Sequence, residues 1–274
     1  MQARFSELLA EAHGRREAVG AFTCYNLETA AGVLRAAEER GRGVILLVSE
    51  KSFSAATGRV LLPALVAAAR ASSAAACVEL DHVRSLELIR AAFELGADAA
   101  LADGSSLGIE ENVELVRAAA SGGEVEAELD GIAGDEDVAT AVAAGALTDP
   151  DEAAVFVQRS GAACLAVSIG NVHGVYRRPP ALDWPRLDAI ARRVDVPLAL
   201  HGASGLADAD IRRTIGLGIA KVNFNTELRQ RYLDVTEARL GAARDGANVL
   251  ALNLAQTEAI AEVVAAKLDV LTAG

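Results

Sequence analysis

The chain alternates short apolar runs with longer amphipathic stretches almost from end to end, and that rhythm leaves few folds open. Eight runs read as strands: VGAFTCY, GVILLVS, CVELD, ADAALAD, EVEAEL, CLAVSIG, VPLALHG and AKVNFN. Between most of them lie stretches with helical spacing. LETAAGVLRAAEERG, for example, sets Leu27, Ala30, Ala31 and Leu34 on one stripe and leaves Glu38, Glu39 and Arg40 outside it. Gly41, Gly96, Gly161 and Gly218 follow helical stretches where a left-handed residue ends a helix. Eight such units in 274 residues is the count of an α/β (β/α)8 TIM barrel. A doubly wound open sheet would usually carry a glycine-rich fingerprint after its first strand, and AFTCYNLE has none.

The expectation is therefore one barrel domain over residues 1–274, with an N-terminal helix and a C-terminal helical extension. One segment breaks the rhythm. DGIAGDEDVATAVAAGALTDP is too rich in Gly, Asp and Glu to be core, and it predicts a long, mobile loop over about 130–148. Hydrophobic residues are 52% of the chain and aromatic ones only 4%, so the core should be aliphatic, with alanine letting helices lie close to the sheet.

Charge and cysteines narrow the function classes. A net charge of −12 argues against a nucleic-acid or anionic-membrane surface. It leaves room for an anionic small molecule, because backbone N–H groups at a helix start hold a phosphate whatever the global charge. Cys24, Cys77 and Cys164 are odd in number, far apart and without CxxC spacing, which predicts free buried thiols in a reducing compartment. The N-terminal stretch reads as an acidic amphipathic helix rather than a signal peptide, and no apolar run is expected to span a membrane. The expected location is cytoplasmic.

Four histidines occur, and three of them sit where an apolar run meets a loop: His82 after CVELD, His173 in VSIGNVHGVY and His201 in PLALHG. Imidazole is the commonest protein ligand for zinc, and a catalytic zinc typically takes three protein ligands. His13 lies on the N-terminal helix and is expected to be solvated. Barrel enzymes place their chemistry at the C-terminal ends of the strands. Those ends read Ser49, Asp81-His82, Asp103, Glu128, His173, His201 and Asn223 to Asn225. Asp81 and His82 adjoin, and adjacent strand residues face opposite ways unless the chain is turning. Asp81 is thus a partner of a metal ligand, a salt-bridge acceptor or a general acid/base. HGASG and NFNTEL, after strands seven and eight, are where barrels often hold a phosphate, with Asn225 or Thr226 capping a helix.

These residues also carry a resemblance. The ordered set DH, DGSSLGIEENVEL, EVEAELDGIAGDEDV, ALTDPDEAAVFV, HGVY, LALHGASG and KVNFNTEL resembles the class II, zinc-dependent ketose-bisphosphate aldolases, closest to the fructose- and tagatose-bisphosphate branch. The likeness covers some four-fifths of the chain. It implies that His82, His173 and His201 bind zinc and that Asp81 is the acid/base at the C4 hydroxyl. It implies that Glu136, in GDED, moves a proton at the dihydroxyacetone-phosphate carbon. Asp103 and Glu128 match positions of a second metal in some members. Ser49, Gly174, Gly202, Ala203, Ser204, Asn223, Phe224, Asn225 and Thr226 would contact substrate, with a monovalent cation, Na⁺ or K⁺, near the phosphate. A homodimer or homotetramer is the family's habit.

Three positions depart from the family: Thr23 stands for a usual Asn, Val83 for a common Gly, and Ala203 for the second Gly of HGGSG. The implied reaction is reversible aldol cleavage of a ketose phosphate to dihydroxyacetone phosphate and an aldehyde. The electrons of the broken bond need a sink, either a lysine Schiff base or a Lewis-acid metal. Lys221 opens the last strand and so stays open as the first kind, while the histidine triad favours the second. A zinc-dependent barrel hydrolase and a non-catalytic sugar-phosphate-binding protein are the competing readings.

Overall fold

Strands covered on both faces are rich in apolar side chains, and that requirement shaped most of the runs read above. In the computed structural model, which describes residues 3–133, 145–174, 176 and 180–272, eight parallel strands close into a barrel in sequence order. They are β1 (Val19–Thr23), β2 (Val44–Ser49), β3 (Ala76–Val83), β4 (Ala99–Ala102), β5 (Glu124–Glu128), β6 (Cys164–Ala166), β7 (Leu198–Leu200) and β8 (Ile219–Phe224). β1 pairs with β8 to close the sheet, with Val19 opposite Lys221 and Ala21 opposite Asn223.

The helices are α1 (Phe5–Gly14), α2 (Leu27–Arg40), α3 (Glu50–Ser54), α4 (Gly58–Ala71), α5 (Leu86–Glu94) and α6 (Ile109–Ala120), then α7 (Pro150–Ser160), α8 (Trp184–Ala191), α9 (Asp208–Gly216), α10 (Thr226–Asp245) and α11 (Val249–Val270). Several have legible caps. Asn26 accepts from the Thr29 N–H, and Asp149 accepts from the N–H groups of Asp151 and Glu152 ahead of Pro150. Gly41, Gly96, Gly161 and Gly218 all have positive φ, as their places after helices require.

The core has two layers. Outward-facing strand residues such as Leu46, Val48, Val78, Leu80 and Val222 pack against the helices. Inward-facing Val19, Ala21, Ile45, Leu47, Cys77, Ala99, Cys164, Ala166 and Ala199 fill the barrel together with Phe5, Leu8, Leu9 and Ala12 of α1. The N-terminal helix is thus a stopper at the starts of the strands. Phe5 and Leu9 are fully buried there, and each contributes about 1.5–3 kcal/mol by leaving water. All three cysteines are free and buried, and burial pushes their thiols up. His13 is exposed on α1.

The C-terminal extension packs back on the barrel. α11 lies chiefly against α2 and α10. A Cβ on Gly32 would sit 2.7 Å from the Thr257 carbonyl oxygen, so α2 and α11 approach closely only through glycine there. By length and composition α11 is long and apolar enough to cross a membrane, contrary to the expectation from sequence, with a mean hydropathy of 1.4 over the window concerned. Its buried face, which includes Ala259, Ile260, Val264 and Leu268, is that of a packed helix.

Candidate active site

His82 reaches the open end of the barrel because β3 breaks its own alternation. The register with β4 shifts between Leu80 and Val83, and His82 takes the left-handed backbone, φ 50°. A bulge of this kind re-aims a side chain. Asp81 and His82 consequently line one cleft, together with Ser49, Asp103, Glu128 and His173. The cleft holds about 740 Å³, within the usual range for small-ligand sites. A non-glycine residue held in this conformation costs about 1–3 kcal/mol.

The carboxylates beside His82 set its orientation. Its Nδ1 lies 3.4 Å from Asp103 Oδ2 and 3.7 Å from Glu128 Oε2. Asp103 is itself fixed, its Oδ1 accepting from the Ser105 N–H and hydroxyl. Burial would raise Asp103, yet the hydrogen bond and charge of His82 with those from Ser105 hold it well below the usual carboxylate range. Glu128 is lifted by burial to about 7, against the pull of His82. With its Nδ1 side given to carboxylates, His82 turns Nε2 toward His201 Nδ1, 2.9 Å away.

His201 follows β7 directly and is fully buried. Its Nε2 lies 2.7 Å from Glu126 Oε1. Burial pushes the imidazole down to about 4, so the ring is neutral near pH 7, the form in which imidazole binds metal. Asn171 clamps the neighbouring backbone, its Nδ2 donating to the carbonyls of His201 and Val167 and its Oδ1 accepting from the Ile169 N–H.

His173 is carried not on a strand end but in the loop after β6, which stops at Ala166. Its N–H donates to the Ala133 carbonyl, and its ring centroid lies 4.9 Å from that of His82 and 5.8 Å from that of His201. Donor atoms of His82, His173 and His201 fall within 4.8 Å of one another, as do those of His82, Asp103 and Glu128. Three neutral-capable imidazoles at this spacing suit zinc, and the His–Asp–Glu group suits a harder divalent ion.

The two turns read as phosphate loops meet over the same mouth. Gly202 has φ 62°, and a Cβ there would lie 2.0 Å from the Val172 carbonyl oxygen, so only glycine fits. The Tyr176 hydroxyl donates to the Gly202 carbonyl and accepts from the Val172 N–H, tying this turn to the His173 loop. Ser204 Oγ accepts from the Asn225 N–H, joining the two turns. Asn225 occupies the N-cap position of α10 without capping it, since its side chain instead meets the Tyr25 hydroxyl. Thr226 is the first residue of α10 and accepts from Arg229. Gly174, with φ 97°, follows His173 directly.

Some expectations need correcting. The Phe224 ring turns away from the mouth, stacked on Phe22 with centroids 5.5 Å apart in the outer core layer, because inward positions on β8 alternate through Lys221 and Asn223. Lys221 is no amine nucleophile: it is fully buried, 2.8 Å from Glu79 Oε2 and 2.7 Å from Glu126 Oε2. Burial alone would lower its pKa, but the two carboxylates more than reverse that and keep it an ammonium. Glu136 and most of the 130–148 loop lie outside the described residues.

Other residues of the site carried no signal in the sequence. Lys51 and Arg84 line the cleft, and nothing in spacing singled them out. Glu79 stands two residues before Asp81 in CVELDH and Glu126 alternates with Glu124 and Glu128 in EVEAEL, and only the strand register brings Glu79 and Glu126 to Lys221.

The family described as class-II fructose-bisphosphate aldolase matches residues 3–274. The chain belongs to this family. YdjI of Escherichia coli is 38% identical over 225 residues, 80% of this chain and 81% of that protein. The sulfofructosephosphate aldolase of Alkalicoccus urumqiensis is 36% identical over 233 residues, covering 83% of this chain and 81% of that one. The crystal structure of the Escherichia coli YdjI aldolase superposes with a TM-score of 0.87 at 32% identity, over 99% of this chain and 97% of that one.

Against the aldolase pattern, the three departures are mild in geometry. Ala203 is buried and is not among the residues with positive φ, so its methyl group adds no backbone strain. Val83 is buried opposite Ala102 of β4. Thr23 ends β1 with its side chain buried.

Proposed function

We propose that the protein is a metal-dependent aldolase that reversibly cleaves a phosphorylated ketose to dihydroxyacetone phosphate and an aldehyde. The observation that carries this reading is the convergence of His82, His173 and His201 beside Asp81 at one mouth of the barrel. These three histidines would hold zinc, which supplies Lewis acidity toward the ketose carbonyl when bound.

The remaining steps belong to side chains and backbone. Asp81 takes the C4 hydroxyl proton in cleavage and returns it in condensation, a positioned transfer that contributes ~10²–10⁴-fold. The proton at the dihydroxyacetone-phosphate carbon is assigned to Glu136. Backbone N–H groups of the 202–204 and 223–226 segments, with Gly174, hold the phosphate in register. A monovalent cation beside that phosphate, and a second divalent ion on Asp103 and Glu128, complete the reading.

Lys51 and Arg84 line the cleft, with Arg84 Nε 3.7 Å from Asp103 Oδ2, and are assigned to the far end of the substrate. Two basic side chains there favour an acceptor aldehyde bearing an anion, a phosphate or a sulfonate, and the relative named sulfofructosephosphate aldolase supports the latter. The acidic chain and its free thiols support a cytoplasmic enzyme that binds neither nucleic acid nor membrane. Exposed Leu233, Leu240, Leu250 and Leu254 on α10 and α11 support a homodimer or homotetramer.

The test is chelation. Activity should vanish in EDTA and return with zinc or cobalt. Activity that persists in EDTA and is trapped by borohydride would overturn the reading, and a panel of aldehydes offered with dihydroxyacetone phosphate then identifies the acceptor.

A further inference from the structure

Below the proposed metal ligands lies a layer of charge that the reaction itself does not use. Lys221 of β8, Glu79 of β3 and Glu126 of β5 all project into the barrel and are fully buried. The Lys221 ammonium sits between the two carboxylates at 2.8 and 2.7 Å. On the side of the stopper its Nζ lies 5.9 Å from the ring centroid of Phe5. On the side of the mouth, the other oxygen of Glu126 lies 2.7 Å from His201 Nε2, closer than the Asn223 side-chain amide at 3.3 Å from the same nitrogen. The chain of contacts runs Glu79, Lys221, Glu126, His201, and its last atom, His201 Nδ1, faces His82 Nε2.

We propose that Lys221, acting through Glu126, is a positioning residue that keeps the His201 proton on Nε2 and so presents Nδ1 to the cation. This rests on the reading of His201 as a metal ligand. A neutral imidazole has one N–H, and the tautomer follows the hydrogen bond the other nitrogen makes. Glu126 specifies that tautomer only as an acceptor, and in a dry interior an acceptor carboxylate needs a countercharge. Among the described residues, Lys221 is the cation in contact with it.

The alternative is that the cluster merely holds the barrel together, and energetics speak against that. Buried ion pairs lose much of their attraction to desolvation, and apolar replacements of similar volume are often neutral or stabilising. A lysine and two glutamates inside an otherwise aliphatic barrel are thus poor scaffolding. His82 offers the contrast: its acceptors Asp103 and Glu128 sit at the cleft, whereas fully buried His201 depends on a charge supplied from below.

The experiment compares the parent protein with Lys221→Met, Glu126→Gln and the double variant. Zinc affinity is read by competition with a chromophoric chelator, and the tautomer by ¹⁵N shifts of labelled histidine in zinc-free protein. Each single variant should lose ~10–100-fold in zinc affinity, the range for removing a partner behind a metal ligand. The double variant should lose little more than either single one, since Lys221 acts through Glu126. The parent should show a buried imidazole protonated on Nε2 alone, and both single variants should show a mixture.

Additive losses, or an unchanged tautomer in Lys221→Met, would overturn the proposal. If Lys221→Met fails to fold, Glu126→Gln carries the same expectation for the tautomer, and an unchanged tautomer there is equally fatal. If the parent takes up no zinc, the metal reading falls, while the zinc-free tautomer measurement still tests Lys221.

Discussion

At the N-terminal end of the barrel, Val19, Cys77, Ala99 and Cys164 meet Phe5, Leu8 and Leu9 of α1 in an apolar plug. At the other end the strands of the barrel deliver Asp81, Asp103, Glu128, His201 and Asn223, all five buried and polar. The two regions share a backbone framework and differ only in which side chains alternate strand positions deliver. One end gains stability by excluding water. The other holds polar groups in fixed relation at a cost in desolvation and strain. The contrast teaches that damage at the two ends should be separable: loss of chemistry without loss of stability above, loss of stability without loss of chemistry below.

The sharpest break comes at the mouth. Asp81→Ala should retain about one zinc per chain while turnover falls by ~10²–10⁴-fold, measured by cleavage assay alongside metal analysis. A fully active variant, or one that no longer binds zinc, removes Asp81 from the acid/base role. At the plug, Leu9→Ala should destabilise the fold by about 2–5 kcal/mol. In the same variant kcat/KM should stay within ~3-fold of the parent, because Leu9 packs in the apolar plug and is not among the residues that line the cleft. Denaturant midpoints and initial rates read both, and a parallel collapse of zinc binding would erase the separation. The smallest effect belongs to the rim. Arg84→Ala should raise KM about 5–10-fold for an anionic acceptor aldehyde and leave it nearly unchanged for a neutral one, as expected for a charge-assisted contact near solvent. Equal effects on both aldehydes would take Arg84 out of substrate choice.

How much of this was legible in the sequence depends on how local the cause is. All eight strands were readable because burial on both faces forces apolar runs, and the helix-ending glycines were readable because left-handed backbone favours that residue. The three histidines were readable by position. His173 was placed only loosely, since β6 ends early and a loop clamped by Asn171 and Tyr176 delivers the ring. The joint aim of Asp81 and His82 was not readable, because the bulge that produces it holds no glycine to announce it. The charge layer was hidden for a different reason. Glu79, Glu126 and Lys221 are far apart in sequence, and their meeting is a property of barrel closure and register rather than of any local pattern. The docking place of α1 was equally silent, since an amphipathic face does not name what it covers.

The left-handed backbone of His82 also bears on how such a site can change over time. Substitution by glycine at this position would relieve the local strain and delete a metal-ligand candidate in the same step. Selection for a more robust scaffold and selection for catalysis therefore oppose each other at a single codon. A lineage that no longer needed the reaction would have a locally favourable route to losing it, with the barrel left standing.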